Sequence, residues 1–294
     1  MAGRARGYPS EAIEQLRERL HYPPDEAARL AVNPTPDGPP PSRWTLRGVR
    51  ASITWLNEYS LSGVWRVLQA AGLQLRQGRP RLFSPDPEYA EKQAYLLDCL
   101  RLTATQPDEN VLLFLDEMGF FRWADPAPDW MPAAPLPART VQSADNNRQW
   151  RIVGVLNALS GQVNYLDNYI VGRKALQQFY PVIVQAYPRA QRIFVVQDNW
   201  SIHSHDDVLS VVAQFPQLEL VWLPTYAHWL NPIEKLWRWL RQTVLHLHQY
   251  ATDFQLLLSH VRTFLDQFAD GSFDLLCYVG LLGNGKLASA IHLE

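Results

Sequence analysis

From Leu218 the chain runs apolar to Leu223, turns through Pro224-Thr-Tyr-Ala-His-Trp-Leu230, and enters Asn231-Pro-Ile-Glu234. Ile233, Leu236, Trp237, Leu240 and Val244 then recur at helical spacing. This is the most constraining stretch of the sequence, because a buried strand must lead into a helix anchored by one apolar face. Asn231 is a candidate N-cap and Pro232 suits the first helical position. Glu234 therefore stands one turn into an anchored helix, close to a strand end. Taken alone, it reads equally well as a functional carboxylate or as a structural one, a first-turn acid that favours the helix dipole or half of a capping arrangement with Asn231.

Two more acids sit in comparable places. Val111-Leu-Leu-Phe-Leu-Asp116 is an apolar strand ending in Asp116, and Arg192-Ile-Phe-Val-Val-Gln-Asp198 is another ending in Asp198. Two strand ends and one helix start, each delivering a carboxylate, make a cluster of like charge that repels unless cations neutralise it. Oxygen-only donors suit Mg2+ or Mn2+.

Charge is distributed unevenly. Residues 1–81 hold 12 Arg against 7 Asp and Glu, a net +5, while the rest holds 15 basic and 22 acidic residues, a net −7. A basic front and an acidic back suit a DNA-contacting module joined to a metal-dependent catalytic one, although ordinary surface scatter gives the same totals. No apolar run approaches the roughly 18 residues of a membrane span. The start, Met-Ala-Gly-Arg-Ala-Arg-Gly, lacks the apolar core of an export signal, so a cytoplasmic protein is expected. Cys99 and Cys277 lie in helix-like apolar patterns and read as buried thiols.

In chain order, the sequence predicts a helix over 10–20, then a proline-rich linker over 33–41. Helices at 44–56 and 62–71 resemble a helix-turn-helix, with Arg66 and Gln69 as groove-facing side chains. Arg79 and Arg81, in the basic run after it, could lie along a minor groove or belong to a solvated linker. A helix over about 87–105 leads into strands at 111–116, 150–159 and 162–171, the last two a hairpin turning at Ser160-Gly161. Helix 173–187, strand 192–198, helix 204–214, strand 218–223 and helices 231–246 and 252–270 complete the pattern. The order describes an α/β fold, a ribonuclease-H-like mixed sheet flanked by helices and preceded by a small all-α helix-turn-helix region. The expected divisions are 1–42 (N-terminal helix and linker), 43–82 (helix-turn-helix), 83–110 (connecting helix), 111–270 (catalytic domain) and 271–294 (tail).

Leu115-Asp-Glu-Met-Gly-Phe120, Gln197-Asp-Asn-Trp-Ser-Ile-His203 and the Leu223–Trp237 stretch together resemble the signature blocks of DDE transposases of the mariner superfamily, in particular the bacterial insertion-sequence branch called IS-six-thirty. Thirty-five residues separate the second and third acids, as that branch has it. Ser84-Pro-Asp-Pro-Glu-Tyr-Ala-Glu-Lys92 and Trp44-Thr-Leu-Arg47 resemble its N-terminal region. The resemblance implies that Asp116, Asp198 and Glu234 hold two Mg2+ (or Mn2+) ions. The implied substrates are DNA: terminal inverted repeats that are cut, and target DNA to which 3′ ends are joined, by a homodimer on DNA. Around the acids, Glu117 should point away from Asp116 by strand alternation. Asn199 is expected to orient the Asp198 carboxylate, His203 to approach the metal or DNA or simply to be hydrogen-bonded, and Asn231 to shape the site. The loop 123–140 resembles a segment that clasps a partner. Three features depart from the family pattern. One helix-turn-helix stands where two are usual, which suggests a shortened copy; Ala227-His228-Trp229 replaces Ser-Pro; and Trp200 takes a position usually small. Two other readings stay open, a catalytically silent DNA-binding remnant and a ribonuclease-H-like nuclease acting on RNA–DNA hybrids.

Overall fold

Side-chain caps and strand alternation account for most of the elements seen in the computed structural model, which describes residues 8–32, 43–75, 83–129, 140, 142, 144–283 and 287–288. Contacts divide the chain into two units, residues 1–81 and 82–294.

The first unit holds α1 (Ser10–His21), α2 (Glu26–Val32), α3 (Leu46–Ser52) and α4 (Leu61–Ala70). Thr45 and Ser60 cap α3 and α4, their hydroxyls accepting from Gly48 N at 3.0 Å and Gly63 N at 3.1 Å. Leu16, Val49, Ile53, Leu56, Val64 and Val67 form a small core. The helix expected over 44–56 is two pieces. Ile53 turns to extended backbone (φ −118°) to bury its side chain, and a short 3-10 turn, Thr54–Leu56, follows. Helix α2 was not expected from the sequence. It starts after Pro23-Pro24, where Asp25 Oδ1 accepts from Ala28 N at 2.9 Å.

The second unit begins with α5 (Tyr89–Thr105). It continues with β1 (Asn110–Phe121), β2 (Gln149–Asn157), β3 (Val163–Asn168), α6 (Arg173–Ala186), β4 (Arg192–Gln197), α7 (Asp206–Val212) and β5 (Leu218–Trp222). Helices α8 (Ile233–Leu240), α9 (Phe254–Asp266) and α10 (Phe273–Val279) close it. The sheet order is β3-β2-β1-β4-β5, antiparallel across β3-β2-β1 and parallel across β1-β4-β5. Alternation sorts β1 cleanly. Leu113 and Leu115 face α6 and α7, whereas Leu112, Phe114, Met118 and Phe120 face α5, α8, α9 and α10. At the β2–β3 turn Gly161 (φ +70°) is required, since a Cβ there would lie 2.4 Å from Ser272 O. Among the described residues no helix is long and apolar enough to cross a membrane.

Four expectations change here. Strand β1 does not end at Asp116: β4 pairs with it only to Phe114, but β2 pairs as far as Phe121 and carries the strand on. The helix over 231–246 starts at Ile233, and Arg241–Leu245 widens into a π turn, with Arg241 donating to Asp125 Oδ2 and Gly119 O, each at 2.9 Å. The segment read as a tail contains α10, capped by Ser272 and burying Leu275, Leu276 and Val279. The same helix leaves Cys277 exposed, while Cys99 is buried as expected.

Candidate active site

Strand parity brings the acids together. Phe114 and Met118 face α8, so Asp116 between them does too. On the neighbouring parallel strand Val196 pairs with Phe114 and shares that face, and Asp198 follows the end of that strand, near enough to Asp116 to act weakly on its charge. Glu234 comes from the first turn of α8, whose Ile233, Leu236, Trp237 and Leu240 are buried in the same core. The three carboxyls are close enough to interact. Burial first, then the charges of Glu234 and Glu117, and more weakly Asp198, push the Asp116 carboxyl up to about 8.

Two side chains fix α8 against β1. Asn231 does not cap the helix. Its buried amide donates to Leu115 O at 2.9 Å, tying the helix start to the residue before Asp116, and only its backbone carbonyl accepts from Glu234 N, at 3.3 Å. Trp237, one turn beyond Glu234, donates from Nε1 to Asp116 Oδ2 at 3.0 Å. Its ring lies on Gly154, the residue paired with Asp116 across β1 and β2; a Cβ at 154 would come within 2.9 Å of the indole. Trp237 read only as apolar helix face and Gly154 as nothing in particular, so neither stood out as a site residue.

Glu117 points to the opposite face, as alternation requires. There His203, fully buried, receives it at 2.8 Å from Nε2 and meets Asp198 Oδ1 at 3.2 Å from Nδ1. Burial pulls the imidazolium pKa down, but the hydrogen bonds to Asp198 and Glu117 outweigh that and lift it to about 10. The bond from His203 in turn holds the Asp198 carboxyl below its ordinary value. His203 is therefore a charged bridge between two carboxylates. Trp200 N also donates to Asp198 Oδ1, at 3.0 Å. Asn199 does not orient the Asp198 carboxylate. The chain has turned past the end of β4 there, and its amide donates instead to Leu223 O at 3.1 Å and Thr225 Oγ1 at 3.2 Å on the loop leading to α8.

That loop has a second clamp, formed by part of the Ser84–Lys92 segment. Asp86 Oδ2 accepts from Thr225 N at 2.8 Å and from Lys92 Nζ at 3.0 Å, and Ser84 Oγ donates to Thr225 O at 2.6 Å. The Thr225 bond, then that from Lys92, lowers the Asp86 carboxyl to about 2. The remaining expected contacts lie in the first unit. Arg66 and Gln69 are exposed on α4, while Arg79 and Arg81 lie outside the described residues.

The donor set suits hard divalent cations, being oxygen only, with one carboxyl that burial and like charge make costly to ionise. The buried Oδ1 of Asn231 also has no hydrogen-bond donor among the described residues. As they stand, no three His, Cys, Asp or Glu side chains among the described residues form a metal-holding group. One oxygen of Asp116 is bonded to Trp237 and one of Asp198 to His203.

Known proteins match this chain in sequence and fold. The profile of the DDE superfamily endonuclease family covers residues 111–257, half of the chain. An insertion element IS630 uncharacterized 39 kDa protein of Shigella sonnei is 26% identical over 268 residues, 90% of this chain and 74% of that one. Among solved structures, the Mos1 transposase paired-end complex with left transposon end matches at TM-score 0.62 and 15% identity, over 99% of this chain and 81% of that one. The Mos1 mariner paired end complex with Mn matches at 0.59 and 16%, over 99% and 80%, and the complex with Mg at 0.59 and 14%, over 95% and 79%. The shared fold bears out the ribonuclease-H-like mixed sheet with helices ahead of it.

Proposed function

The chain belongs to the DDE superfamily of endonucleases, and on that premise we propose that it is a DNA transposase in which Asp116, Asp198 and Glu234 are the catalytic, metal-holding residues. The observation that supports this reading is that β1 carries Asp116, the adjacent parallel β4 leads into Asp198, and α8, which carries Glu234, packs its buried face on the same core as β1. The Shigella sonnei relative, named for an insertion element, and the Mos1 complexes with transposon ends support DNA ends as substrate. The Mos1 structures named with Mn and with Mg support divalent ions as the cofactor, and we assign two. Such ions supply activation of a water or 3′-hydroxyl and charge stabilisation at the leaving oxygen.

The chain's own residues do the rest. Asn231 and Trp237 set the height of α8 over β1, so that Glu234 and Asp116 face one another. Protonated His203 keeps Glu117 and Asp198 from repelling and limits the rotation of Asp198. Arg66 and Gln69 on α4, with Arg79 and Arg81 after it, are assigned to element-end binding by a homodimer, in the cytoplasm and on the nucleoid. The test is cleavage of DNA carrying the repeats that flank the gene, with Mg2+, by wild type and by Asp198→Ala. Loss of cleavage with retained binding supports the assignment, and equal cleavage by both defeats it. Cleavage of RNA–DNA hybrids without end preference would favour a plain nuclease.

A further inference from the structure

In the connection that leads to α8, Tyr226 is strained and exposed at once. Its φ is +58°, in the left-handed region that non-glycine residues adopt at a cost, and its side chain is 75% exposed. Its neighbours are pinned. Thr225 is held through its N, O and Oγ1 by Asp86, Ser84 and Asn199, and Ala227 is buried, its N bonded to Pro224 O at 3.0 Å. Among the described residues the ring makes no hydrogen bond or ring contact. Strain kept by over-determined surroundings at a site is a mark of use.

Resting on the reading of the chain as a DNA transposase, we propose that Tyr226 is a base-stacking residue, taking the face of a nucleobase unstacked at the DNA end next to the phosphate that Asp198 addresses. Asn199, which follows Asp198, bonds to Thr225, so the ring is mounted one residue from a direct tie to the acid cluster. Beside the acid cluster, a neutral contact to a base adds binding that does not depend on phosphate charge. An exposed aromatic face supplies one for any base.

The test uses the full chain and a forked duplex with 2-aminopurine in its unpaired 3′ end, with binding followed by anisotropy and stacking by fluorescence quenching. Wild type and Tyr226→Phe should quench. Tyr226→Ala should not, and should bind the fork roughly five- to a hundred-fold more weakly. Tyr226→Gly should lose the quench equally without a lower thermal midpoint, which separates stacking from folding. Quenching by Tyr226→Ala at the wild-type level overturns the proposal. If wild type binds neither the fork nor blunt duplex, the transposase reading fails, and the proposal with it.

Discussion

Replacing Gly154 with Ala tests how the site is built without touching a carboxylate. The new Cβ would lie 2.9 Å from the Trp237 indole at Cη2 and 3.3 Å at Cζ2, with Asn164 O at 3.6 Å. The indole is 4% exposed and hemmed in, so it cannot swing aside freely. Overpacking of this kind costs about 1–3 kcal/mol. A strand interior prefers Ala to Gly by about 0.5–1 kcal/mol, which offsets part of that. The expected net loss is about 0.5–2 kcal/mol. For a unit of about two hundred residues, that lowers the thermal midpoint by about 1–8 °C. The displaced ring also draws its N–H from Asp116, so cleavage should fall further than stability does. The assay is a double-mutant cycle with Trp237→Leu, followed by thermal unfolding and by DNA cleavage. With no ring over position 154, the Ala substitution should gain about 0.5–1 kcal/mol, giving a coupling of about 1–3 kcal/mol. An equal cost of Gly154→Ala in both backgrounds would refute the reasoning.

Other expectations follow from the same geometry. Asp116 has a folded pKa raised to about 8, above its ordinary 3.8, so ionising it opposes folding as pH rises through that interval. In chelator, Asp116→Asn should therefore raise the unfolding free energy at pH 9, by on the order of a few kcal/mol, and give no gain below pH 4. Added Mg2+ should stabilise wild type and not the variant; a gain that is the same at both pH values contradicts this. His203 has its folded pKa raised to about 10, so its contribution is complete below the unfolded value near 6.5 and fades as pH rises through 10. The stability gap between wild type and His203→Gln in chelator should shrink accordingly in alkaline denaturation curves. Tyr226→Gly should gain roughly 1 kcal/mol in denaturant titration by relieving the left-handed backbone. Arg66→Ala should weaken element-end binding in gel shift while leaving nicking of nonspecific DNA unchanged.

The sheet and the elements that carry the three acids were legible because their signals are local. Apolar runs mark β4 and β5, the alternation around Asp116 separates it from Glu117, and helical spacing identifies the buried face of α8. What was missed depends on residues far apart in the chain. The end of β1 is set by pairing with β2, so no pattern near Asp116 announces it. Asn231 resembles a cap from its neighbours alone, but Leu115 O, 116 positions earlier, claims its amide. Ser84 and Asp86 act on Thr225 about 140 residues away, and the Trp237–Gly154 contact needs the sheet to exist first. Asn199 was assigned to the carboxylate beside it, whereas the turn after β4 sends it to the next loop.

The central claim is that Asp116, Asp198 and Glu234 share divalent ions. Anomalous diffraction from crystals soaked in Mn2+ measures it directly. Two peaks bounded by the three carboxylates are expected, with both lost in Asp198→Ala. Manganese bound elsewhere, or no peak at all, would contradict it.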